Sequence, residues 1–147
     1  MRYLATAAAL LVAAASICAE EPAKATRVID GMKTTFPDKT IRDGVKMLTD
    51  VLEACHYIAG SRFENGKEIK YSAEDVKNAQ KGDHVRFVFA RPIDITVLGN
   101  DFEVSEVVFA NGAFWLVYDK NVVRCIKYEY EKMKKFEDWY RQTLRPD

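Results

Sequence analysis

Cys55 and His56 stand side by side in the segment LEACHYIAG, and a thiol beside an imidazole raises three chemistries. The first is a thiolate nucleophile served by a histidine base. Neighbouring residues on a helix point about 100° apart, so Cys55 and His56 would not face each other there. A nucleophile and its base must lie within hydrogen-bond reach, so the partner of Cys55 would be the only other histidine, His84. The second is a metal site. Cys55, His56, His84 and Cys125 are residue types that suit zinc, but no C-x-x-C or H-x-x-x-H spacing joins them, and no metal or cofactor is expected. The third is a disulfide between Cys55 and Cys125, the preferred reading for two cysteines of an exported chain. Such a bridge closes a loop of about 70 residues, worth roughly 4 kcal/mol in the chain-entropy account.

Two further groups could carry function. In FEVSEVVF, Glu106 falls in phase with the apolar residues Phe102, Val104 and Val108. A carboxylate aimed inward could serve as an acid or base. The competing reading is a bulge near Ser105 that returns the charge to solvent, supported by Val107 and Phe109 on the opposite phase. The last third of the chain also holds Trp115, Tyr118, Tyr128, Tyr130, Trp139 and Tyr140. Most of these belong between a sheet and the final helix. Trp115, Tyr118, Tyr128 and Tyr130 are the candidates for a ligand-binding face, with Tyr128 and Tyr130 sharing one side of a strand. Exposed aromatics of this kind stack on sugar rings or anchor a protein partner.

The elements that would position these groups follow from patterning. Residues 1–19, with Arg2, an apolar run from Leu4 to about Ala15 and the small Ala19, read as a secretory signal peptide. The run is short for a membrane span, which needs about 20 apolar residues. Cys18 suggests lipidation, against which the branched Ile17 speaks. Removing 19 of 147 residues leaves 128, enough for one domain with its own core. Arg2 leaves with the leader, so 21 basic residues face 22 acidic ones. That balance disfavours nucleic-acid binding, which needs a concentrated basic face. Lys132, Lys134, Lys135, Arg141 and Arg145 alternate with Glu131, Glu137 and Asp138, the pattern of a solvated helix face.

Residues 20–36 read as a polar linker with a helical turn near RVIDGM, and 37–147 as a single α+β domain. DKTIRDGVKMLTDVLEACHYIAG reads as one wide-faced helix, opened by a Thr40/Asp43 capping box and stopped at Gly60. Asn65-Gly66 signals a small hairpin. Ser72 and Asp75 open a brief helix that Gly82 closes. HVRFVFA, PIDITVL, FEVSEVVFA, AFWLVYD and VVRCIKYEY read as five strands, and their short connections demand antiparallel neighbours. EKMKKFEDWYRQTL reads as a closing helix. The expected fold is a curved antiparallel sheet or partly open barrel of about five strands, covered by the first and last helices. The chemistry points to a secreted or periplasmic, non-catalytic module that binds a protein, a glycan or a small ligand. The alternative is a small exported enzyme using Cys55 with His84, or Glu106. No P-loop, dinucleotide-binding glycine pattern or Gly-x-Ser-x-Gly elbow occurs.

Overall fold

The computed structural model describes residues 23–144; the leader read over residues 1–19, with Cys18, and Arg145 lie outside them. The first described element is not a linker. Asp30 and Gly31, with φ of 52° and 78°, form a two-residue turn between β1 (Ala23–Ile29) and β2 (Met32–Thr35). Two successive residues at positive φ make the turn whose twist matches that of the flanking strands. β1 then pairs with β6 (His84–Val97), setting Ala23 opposite Phe89 and Ala25 opposite Phe87. The weak apolar signal of Ala-Lys-Ala-Thr hides this strand, because small alanines fill the space beside two phenylalanines.

α1 (Asp38–Glu53) follows, with Ile41, Leu48, Val51 and Leu52 on its buried side. It begins two residues before Thr40, whose hydroxyl donates to the Pro37 carbonyl at 2.8 Å, so the expected capping box does not form. It also ends at Glu53, short of the stop expected at Gly60. Tyr57 and Ile58 leave the helix to pair with Ile126 and Cys125, forming β3 (Tyr57–Ala59) against β9 (Asn121–Ile126). Next come β4 (Ser61–Glu64) and β5 (Lys67–Lys70), the small hairpin expected around Asn65-Gly66. Then α2 (Ala73–Ala79) opens with Ser72 and Asp75 exchanging capping bonds.

β6 joins two expected strands into one of 14 residues, with a register irregularity between Val88 and Ile93 that accommodates Pro92. β7 (Asn100–Ala110) and β8 (Ala113–Tyr118) continue the meander into β9, and α3 (Tyr130–Arg141) closes it. The main sheet has seven antiparallel strands in the order β2-β1-β6-β7-β8-β9-β3, and β4-β5 stands apart. The sheet is therefore larger than five strands. It is open rather than barrel-like, since β2 and β3 form its two edges.

α1 and α3 cover one face, and a core of Phe36, Leu48, Phe87, Phe109, Phe114, Phe136 and their neighbours fills the space between. Gly44 sets the distance between the two helices. A Cβ there would collide with the Trp139 ring, whose Nε1 donates to the Thr40 carbonyl at 3.0 Å. The opposite face carries α2, with Val76 packed on Val108, Ala110 and Val122. Among the described residues, no helix is long and apolar enough to cross a membrane.

Candidate functional site

Strand alternation sorts the candidate residues between the two faces of the sheet. Val85, Phe87 and Cys125 point toward α1 and α3, so His84, Arg86 and Arg124 point the other way. Cys55 lies just past the end of α1, in the same core as Cys125. Its thiol donates to the Ile126 carbonyl at 2.8 Å and approaches the Tyr57 carbonyl at 3.1 Å. Cys125 is fully buried, which pushes its thiol far above the ordinary range, and the adjacent Cys55 pushes it further. The structure thus brings Cys55 and Cys125 together. The expected disulfide is not formed here, and both remain thiols, with Cys55 hydrogen-bonded to backbone carbonyls.

Cys55 and His84 are kept apart. His84 is buried beside Ala110 on the opposite face, and β7 and β8 separate its strand from β9, a span of about 14 Å. Its Nδ1 lies 2.8 Å from the Gly82 carbonyl, which can only accept, so that nitrogen carries the proton. His56 is exposed. The four residues with zinc-type side chains therefore do not converge, and no metal-ligating group of three or more His, Cys, Asp or Glu occurs among the described residues.

Glu106 faces away from the helices. Val104 and Val107 both enter the helix-side core, so the alternation changes phase between them. The carboxylate accepts from Arg86 Nε at 2.8 Å, and its side chain keeps 20% of its exposure. Tyr118 leans on Phe102 with ring centroids 4.8 Å apart, at the margin of the core. Tyr128 and Tyr130 do not share a strand face, because Lys127, at φ 61°, ends the extended run after β9. The Tyr128 hydroxyl donates to the Gly112 carbonyl at 2.6 Å, while Tyr130 opens α3 and is 72% exposed.

Trp115 has a different setting. It is half-buried on the α2 side, with Tyr71 edge-on at 5.0 Å and the Arg124 guanidinium over its ring at 5.8 Å. Arg62 lies over Tyr71 at 5.9 Å, extending the series to the β4-β5 hairpin. Beside Trp115 opens a cleft of about 330 Å³, lined by Asp75, Asn78, Asn111, Arg124 and three alanines, Ala79, Ala110 and Ala113. α2 forms one wall and the β7–β8 turn another. Of this site, only Trp115 stood out in the sequence. Arg124 was also within reach, since a two-residue turn at Asp119-Lys120 sets Trp115 opposite Arg124 when pairs are counted outward. Asn78 and Asp75 carry no comparable signal, because they reach the cleft only through the docking of α2. Compared with protein-family models, curated proteins and solved structures, the chain matches none.

Proposed function

We propose that this chain is an exported, non-catalytic binding module that holds a small polar ligand in the cleft between α2 and the β7–β8 turn. The observation that carries the reading is the cleft itself. An aromatic side chain and three alanines supply an apolar surface, and a few polar groups converge on it. Ligand sites combine these two features, and their volumes run from about 300 to 1,000 Å³. Support over an enzyme built on Cys55 and His84 comes from their placement on opposite faces. Glu106 is held in an ion pair with Arg86 away from the cleft lining.

Export rests on the leader-like residues 1–19, and it implies a secreted or periplasmic location. In an oxidising compartment the neighbouring thiols of Cys55 and Cys125 are read as forming a disulfide. They would give up two protons and two electrons to a disulfide oxidant, which leaves as two thiols.

The binding reading is tested by adding small polar fragments to isotope-labelled protein and following the backbone amide and indole resonances. The expected shifts cluster at Ala79, Ala110, Asn111 and Trp115, and Trp115→Ala removes them. Shifts gathered around Tyr130, or no response to any fragment, would overturn it.

A further inference from the structure

We infer that the cleft recognises a carboxylate and that Arg124 is the group that receives it. This rests on the binding reading above and assigns that site its ligand class.

The guanidinium groups of the second face differ in their partners. Arg62 bonds Glu64 at 3.1 Å and Asp75 at 3.0 Å, and Arg86 bonds Glu106 at 2.8 Å. Arg124 has only the Trp115 ring among the described residues. It is half-buried, so part of its hydration is lost with no anion to replace it. A guanidinium resting over an aromatic face is attracted to the ring while its N–H groups stay available to a planar, two-oxygen acceptor.

The rest of the lining agrees with a single negative charge. Asp75 is its one carboxylate, and both of its oxygens are engaged. Oδ1 accepts from Arg62, and Oδ2 accepts from the Ser72 backbone N–H at 2.8 Å. It therefore does not compete for Arg124. Its charge nevertheless disfavours a dianion, so a carboxylate fits better than a phosphate. The side-chain amides of Asn78 and Asn111 have no hydrogen-bond partner among the described residues and border the same space. The alanines and Trp115 supply a wall for a ring or short apolar body. At about 330 Å³ the cleft has room for such a ring. The predicted ligand is a small monocarboxylate with its carboxyl on Arg124 and its body against Ala110, Ala113 and Trp115.

The test uses matched probes: benzoate against benzamide, glucuronate against glucose, and inorganic phosphate. Resonances of the full exported chain are followed during titration. The carboxylate of at least one pair should bind about tenfold more tightly than its neutral partner, the loss expected for one charge-assisted hydrogen bond. Arg124→Gln should remove that advantage, so that the charged and neutral probes of the pair bind alike. Asn111→Asp, on an exposed turn at φ 50° that aspartate tolerates, should weaken carboxylate binding by repulsion without touching the core. Equal binding of charged and neutral probes would overturn the carboxylate assignment while leaving the cleft a binding site. Tighter binding of phosphate would replace it with a phosphate site. Silence from every probe, with neutral fragments still shifting Trp115, would overturn the assignment alone. Silence from those fragments as well would remove both readings.

Discussion

At the residue scale, the behaviour of Cys125 follows from its surroundings. Its thiol is fully buried on the helix side of the sheet, and burial and then Cys55 raise its pKa. The folded state therefore holds a proton that the unfolded chain releases near the ordinary thiol value of about 8.5. Fewer bound protons in the unfolded state mean that stability falls as pH rises. With reductant present, the urea midpoint should decline from about pH 8.5 upward, and Cys125→Ala should flatten the first part of that decline. Tyr140 and Tyr128, whose pKa values are also raised by burial, add the same sign of loss above about pH 10. Without reductant, protein recovered from the exporting cell should take up no alkylating agent until it is reduced and unfolded. Ready labelling of Cys55 before reduction would sink the disulfide. The nearness of the two cysteines was legible from their number. The place of Cys55 beyond the end of α1 was not, because the pairing of Tyr57 and Ile58 with β9 ends that helix early.

At the element scale, Gly44 shows how one residue positions a helix. Within a helix pattern a glycine reads as a loss of up to about 1 kcal/mol relative to alanine. Here a methyl group at that position would collide with Trp139, which stacks on Phe36 with centroids 4.2 Å apart. Gly44→Ala should therefore destabilise despite its better helix propensity, by about 1–3 kcal/mol, the usual penalty for overpacking. Urea unfolding reads this directly. Combining it with Trp139→Leu should recover part of the loss, and a fully additive pair would show that the ring is not the obstacle. The same scale explains why α1 ends early. Its apolar pattern continues through Tyr57 and Ile58, but pairing with β9 offers these residues an edge-strand place that helix periodicity cannot reveal. Short signals fared better. The turn at Asn65-Gly66 and the Ser72/Asp75 cap depend on neighbours within four residues, and both appear where the residues stand.

At the scale of the whole molecule, the segment 23–36 is part of the core. Ala23 and Ala25 are buried against β6, and Phe36 stacks on Trp139. The Arg27 guanidinium donates to the Tyr140 and Gln142 carbonyls at 2.6 and 2.7 Å, closing the end of α3. Burying Phe36 alone contributes about 2–3 kcal/mol, and removing β1 would bare the long edge of β6. A chain that starts at Pro37 should therefore lose cooperative unfolding or become insoluble, as read by circular dichroism and sedimentation. Unchanged melting would instead show that the hairpin is an appendage.

Local and composition-level properties were decided by the chain alone: an α+β class, antiparallel neighbours, tight turns at Asn-Gly pairs, and a core rich in aromatic residues. These depend on periodicity and on residues a few positions apart, so they can be read in one dimension. The tertiary structure decided which face each side chain occupies. One phase change between Val104 and Val107 turns Glu106 away from the core and toward Arg86. One crossing of the sheet separates Cys55 from His84. The docking of α2 on Ala110 and Val122 brings Asn78 and Asp75 to Trp115 and Arg124. Side-chain facing depends on register, and register is set by pairings between distant segments, so a cleft between two such segments exists only once they have met.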